Sequence, residues 1–224
     1  MVKIAFLDTF GLKYDGATLN NRGLGGSESA VIYMSMELAK LGFDVTVFNE
    51  IENEGVYDNV RYLSKSRCLD TQDEYDVLIS LRSCLPFFPG HLRQEALEQY
   101  GYDIYSTKSL VDKSRFKVVW LHDTFCAGDP YLEHLCLDGY IDELFCLSDW
   151  HSNYIMNGHS WRGRYFEVLK NKVWQTRNGV ATHVEEVVVR DKDPNLFVYN
   201  SSITKGMIPL VKDCWPEIKK RIPD

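Results

Sequence analysis

Basic clusters are scarce in this sequence of 224 residues: Lys and Arg number 25 against 32 Asp and Glu, giving a formal net charge of -7. The only dense positive groups are Arg162 with Arg164, and Lys219, Lys220 and Arg221. Affinity for nucleic acid comes from clustered cations that neutralise phosphates, so no nucleic-acid partner is expected. Long apolar runs are missing too. None approaches the roughly 20 residues of a spanning helix, and Met1 leads straight into the strand-like "VKIAFLD" rather than a leader segment. The expectation is a soluble, cytoplasmic protein, with peripheral membrane contact expected only of a longer full-length form.

Metal-binding and disulfide patterns are also absent. The six cysteines form no C-x-x-C pair and several sit in apolar surroundings such as "ELFCLS", which points to reduced, buried thiols. There is no H-E-x-x-H, and His151 and His159 have no carboxylate between them. No metal is therefore expected. Neither an internal repeat nor a low-complexity stretch occurs.

What is present is a chain rich enough in apolar residues, 45% of the total, to bury a sizeable core. Short apolar runs, "KIAFL", "VTVF", "YDVLIS", "KVVWL" and "LFCL", read as strands buried on both faces, the mark of a parallel sheet covered by helices. Between the first two, Ala30, Val31, Met34, Leu38 and Leu41 share one face of a helix that Gly42 should stop. Strand, helix, strand in this order predicts an α/β fold with a Rossmann-like, doubly wound parallel sheet. Segments 91–100 and 149–158 read as further helices.

Residues 1–180 form this predicted domain, and 181–194 a polar connection. In residues 195–224, "NLFVYN" reads as a strand and "TKGMIPLVKDCWPEIKKRI" as a helix with Pro216 bending or restarting it. A lone strand and helix bury little of their own apolar surface. The segment therefore reads as the opening of a second domain, and the chain as a fragment or one that borrows a partner.

The segment "NNRGLGGSES" poses the functional question. Glycines at 23, 25 and 26 ahead of a helix suggest an anion site, because the backbone can approach a phosphate and free N–H groups point at it. A dinucleotide fingerprint would need a glycine where Glu28 stands, and a much tighter turn after the first strand. Glu50, after the second strand, is placed as a ribose ligand would be. A nucleotide-dependent oxidoreductase or epimerase therefore remains an alternative, as do glycines that serve only a turn and close packing.

Six motifs in order, "GGSES", "LGFDVTVF", "WLHD", "LFCLSDWHSNYI", "RNGV" and "NLFVYNSSITKG", resemble the family-four retaining glycosyltransferases with the GT-B fold. The resemblance covers nearly the whole chain, as an amino-terminal acceptor-side domain plus the first strand and helix of a carboxy-terminal donor-binding domain. It implies transfer of a sugar from a nucleotide-diphosphate-sugar to a hydroxyl acceptor, such as a glycan, with retention and without a metal or other cofactor. Gly25 and Gly26 match the glycines lying against the donor, and His122 matches a histidine facing the reacting sugar. Lys205 matches a cation on the donor phosphates, with Ser202 beside it. The chain departs from the family pattern at Tyr199-Asn200, where a G-R pair is usual, so a two-cation clamp is not expected. The acidic E-x7-E segment of the family has no counterpart before Asp224. By itself the chain is expected to be inactive, and a non-catalytic binding module is the remaining alternative.

Overall fold

A computed structural model describes residues 1–124, 126–157, 169–179, 196–199 and 206–222. The chain divides into two compact units, Met1–Gly179 and Val180–Asp224.

The first unit is α/β. Its strands are β1 (Lys3–Leu7), β2 (Asp44–Asn49), β3 (Gly55–Tyr57), β4 (Val60–Ser64), β5 (Tyr75–Leu81), β6 (Ser114–Trp120), β7 (Glu143–Cys146) and β8 (Val173–Gln175). They form one sheet in the order β3-β4-β2-β1-β5-β6-β7-β8. Every pairing is parallel except the β3–β4 hairpin at one edge. Leaving β3 aside, the chain runs outward from β1 through β2 to β4, then returns to the other side of β1 with β5. That reversal is the switch point of an open sheet, and the order is compatible with a Rossmann-like fold.

Alternate residues of each strand enter two separate cores. Ala5, Leu7, Leu78 and Val119 pack on one face with Ala96, Leu110, Leu135 and Ile155. Ile4, Phe6, Ile79 and Val118 pack on the other with Val31 and Ile32. The period of two thus places helices on both faces: α2 (Gly26–Lys40) on one, and α3 (Arg93–Tyr100), α4 (Lys108–Asp112), α5 (Leu132–Leu137) and α6 (Asp149–Asn157) on the other. A short α1 (Thr18–Asn21) interrupts the long first loop.

Helix α2 ends as its sequence requires. Gly42 takes φ +91, its N–H donates to Ala39 O, and the Phe43 N–H reaches back to Leu38 O, the paired bonds of a Schellman stop. Of its expected stripe, Val31 is buried and Ala30, Met34 and Leu38 pack against the same core; Ile32 and Ser35 are buried as well, and only Leu41, at 75% exposed, departs from it.

The cysteines also divide. Cys68, Cys84, Cys126, Cys136 and Cys146 are buried free thiols, and Cys214 is an exposed one. Burial pushes the Cys68, Cys136 and Cys146 thiols up to about 12, which keeps them protonated and unreactive.

In the second unit, Met207–Pro209, Leu210–Cys214 and Trp215–Arg221 form one helical run whose middle has π spacing. The wide turn comes just ahead of Pro216, which has no N–H to donate to the preceding turn. Of the expected strand "NLFVYN", Leu196–Tyr199 make no strand pairing among the described residues, and Asn195 and Asn200 lie outside them. Among the described residues no helix is long and apolar enough to cross a membrane.

Candidate functional site

The carboxyl ends of β1, β5 and β6 and the start of α2 carry a cluster of polar residues at the switch point. Asp8 follows β1, Arg82 follows β5, and His122 lies two residues beyond β6. Gly25 is the N-cap of α2, and Glu28 sits in its first turn. The elements explain the convergence, since parallel strands all deliver their carboxyl ends to one edge.

Arg82 holds the cluster together. Its Nη2 donates to Glu28 Oε1 at 2.9 Å and lies 3.7 Å from Asp8 Oδ1. The backbone at Arg82 is left-handed, with φ +58, which is uncommon for a residue with a Cβ. Hydrogen bonds on both sides fix that conformation: the Arg82 N–H donates to Trp120 O, and Arg82 O accepts from the Ala127 N–H. The left-handed turn lets the side chain leave the strand end toward α2, at a strain cost of about 1–3 kcal/mol.

The two acids meet different surroundings. Asp8 is 1% exposed, and burial raises its carboxyl to about 6, against the lowering pull of Arg82 and the Phe10 and Gly11 N–H groups. The Tyr14 hydroxyl faces the Asp8 carboxyl. Burial first, and then the Asp8 charge, push the Tyr14 phenol well above its ordinary value. Thr9 Oγ1 and His122 Nε2 are buried without a hydrogen-bond partner among the described residues.

His122 stacks at a tilt on Trp120, ring centroids 4.6 Å apart. Burial, assisted by the Arg82 charge, lowers its pKa to about 4, so the imidazole is neutral near pH 7. The next residue is pinned by a second histidine. His151 Nδ1 accepts the Leu147 N–H at 3.3 Å, which leaves the proton on Nε2 to donate to Asp123 O at 2.8 Å.

Of the residues expected from sequence, Gly25, Gly26 and His122 share this edge, and Lys205 and Ser202 lie outside the described residues. The glycines differ from each other. A Cβ at Gly25 would run into Glu28 Oε2, whereas Gly26 has open space around it and no left-handed φ. Any intolerance at Gly26 must therefore come from a ligand rather than from the chain. Gly26→Ala is expected to leave the melting temperature within about 2 °C of the parent while weakening ligand binding. Gly25→Ala, which displaces a buried ion pair, should lower stability by about 1 kcal/mol or more. Thermal melts with and without ligand separate the two effects.

Asp8, Tyr14 and Arg82 were not singled out by sequence, although Asp8 and Arg82 each directly follow a strand, the signal that could have found them. Glu28 was noticed only as a misfit to the dinucleotide fingerprint. Glu50, the ribose-ligand alternative, is occupied by an ion pair with Lys65. It belongs to a shallow depression lined by Lys13, Glu52, Glu54 and Arg67, where Lys13 pairs with Glu52 and Arg67 with Glu54. Among the described residues no group of three or more His, Cys, Asp or Glu is arranged to hold a metal ion. No family model matches the chain, and no curated protein matches it.

Proposed function

We propose that the first unit is the acceptor-side domain of a retaining glycosyltransferase with the GT-B fold, acting from a nucleotide-diphosphate-sugar. The observation that carries this reading is the meeting of the "GGSES" helix start and the "WLHD" histidine at one strand edge, joined through Arg82. Two motifs of the resemblance, about a hundred residues apart, thereby meet at one strand edge. In this reading the open backbone at Gly26 and the first N–H groups of α2 face the donor diphosphate, and neutral His122 accepts or donates a hydrogen bond at the sugar as charge develops. His122 suits that task because a neutral imidazole does not repel a positively charged, oxocarbenium-like centre. Donor phosphate contacts by Lys205 and Ser202 belong to the same proposal. So does the absence of a metal requirement.

The test is a radiolabelled-donor assay with a panel of nucleotide sugars on the full-length gene product, with NAD(H) titrated in parallel. Transfer with retained anomeric configuration supports the reading. Tight dinucleotide binding without transfer favours a nucleotide-dependent oxidoreductase. In the active enzyme, His122→Ala should lower kcat and kcat/KM together by about 100-fold, as expected for an interaction made as charge develops. Near-normal kcat would remove His122 from the mechanism.

A further inference from the structure

A half-open cavity of about 240 Å³ lies between the turn Gly90–Leu92, ahead of α3, and the carboxyl end of α5. None of the residues of the strand edge described above lines it. It is smaller than the roughly 300–1,000 Å³ of sites for drug-sized ligands, so it takes one small molecule or headgroup. Tyr131, Tyr140, His91 and His134 supply aromatic wall, and the remainder is mostly proline and leucine. With histidine counted as neutral, Asp138 is the one charged residue that lines it.

The chain holds these walls in place. Helix α5 stops at Gly139, φ +75, where the Tyr140 and Ile141 N–H groups both donate to Leu135 O, at 2.8 and 3.0 Å, and the Asp138 N–H donates to His134 O at 2.8 Å. These bonds fix the backbone that carries Asp138 and Tyr140. The Tyr131 ring meets Phe88 edge-on, centroids 5.1 Å apart, and its hydroxyl donates to Glu95. A phenol that donates to a carboxylate gains electron density in its ring, which strengthens the pull of the ring face on a cation. Asp138 itself enters no ion pair among the described residues. Charge therefore favours a cation over an anion. The character of the walls selects which cation. A primary ammonium has three N–H donors that each need an acceptor on leaving water. Ring, proline and leucine surface with one carboxylate meets methyl groups better than N–H groups, while ring faces and Asp138 answer the charge.

We infer that this cavity binds a quaternary ammonium group, held by Tyr131, Tyr140 and Asp138. The site is separate from the one proposed for sugar transfer, and neither reading depends on the other.

The test titrates choline, its uncharged isostere 3,3-dimethyl-1-butanol, and ethanolamine into the 224-residue chain at low ionic strength and about pH 8, where an unperturbed imidazole is neutral. NMR follows the Tyr131 and Tyr140 ring signals. Choline should shift both saturably, and the isostere and ethanolamine should each bind about tenfold more weakly or worse. Asp138→Asn should weaken choline about fivefold and leave the isostere unchanged. Tyr140→Leu keeps an apolar wall but removes the ring face, and should weaken choline by a similar factor. Both positions are exposed, so thermal melts of the two variants should match the parent. No saturable shift with choline, equal binding of the isostere, or a preference for ethanolamine overturns the inference. Vesicles of phosphatidylcholine distinguish the two sources of such a group. Co-sedimentation that Asp138→Asn abolishes supports a lipid headgroup in the cavity, and choline binding without co-sedimentation supports a free ammonium.

Discussion

At about pH 8, Asp8→Asn is expected to melt higher than the unchanged chain, although it removes a charged partner of Arg82. The sign follows from the folded carboxyl being raised from 3.8 to about 6, chiefly by burial. A group whose folded pKa is raised contributes stability that is fully present below its unfolded value and is lost as pH climbs through the folded one. Ionised Asp8 therefore costs the folded state about 2–3 kcal/mol above pH 7, at about 1.4 kcal/mol per unit. An amide carries no such burden. Its oxygen can still accept the Phe10 N–H that Asp8 Oδ1 accepts now, and its nitrogen can donate to the Tyr14 hydroxyl. For a unit of this size the gain corresponds to about 5 °C or more in Tm. It should fade toward pH 4, where Asp8 is protonated in the folded chain as well. A pH series of thermal melts checks both the sign and the window. Loss of stability at pH 8 would mean that Asp8 is kept for its bond to Arg82 rather than held against its own preference.

The cost at Asp8 is that of a charge kept away from water. His122 shows the converse. Its pKa is lowered to about 4, so it contributes stability above pH 6.5 that is lost as pH falls through 4. Between about pH 4 and pH 6 the neutral state is favoured for both groups; above pH 6 the acid alone is charged. This strand edge thus has its negative charge and its neutral imidazole together only toward neutral pH.

The fold was largely legible in the sequence because its signals are local. The β1 run "KIAFL" coincides with Lys3–Leu7, and the glycine after α2 is the Schellman stop itself. The β3–β4 hairpin escaped notice even though "YDNV" supplies it: Asp58 and Asn59 take φ +50 and +62, as a two-residue turn between twisted strands requires. The site was less legible because its bonds are not local. Glu28 and Arg82 are 54 residues apart in sequence, and neither belongs to a motif that names the other. Glu28 looked like a defect in a glycine fingerprint, whereas in the fold it is the acid that ties the helix start to β5.

Arg82→Gln should be the most damaging single change in this region. It leaves two carboxylates, each no more than 6% exposed by side chain, without their cation. Removing one partner of a buried ion pair costs about 3–5 kcal/mol, because the remaining charge is desolvated and uncompensated. Glutamine keeps a Cβ, so the left-handed strain at φ +58 is unchanged and the loss reports the ion pairs alone. Arg82→Gly also loses the pairs but relieves backbone strain of about 1 kcal/mol, and should therefore be the milder of the two. The pH dependence identifies the cause. Arg82 currently pulls the Asp8 carboxyl down, so without it that carboxyl is pushed higher still, and stability is lost over a wider range as pH rises. The deficit of Arg82→Gln should be roughly halved near pH 5, where Asp8 is protonated, and greatest near pH 8. Adding Asp8→Asn should recover about half of it, since one of the two stranded charges is then gone. Denaturant melts of the four members of this cycle at both pH values provide the measurement. An Arg82→Gln chain within about 0.5 kcal/mol of the parent at pH 8 would show that solvent already screens the cluster.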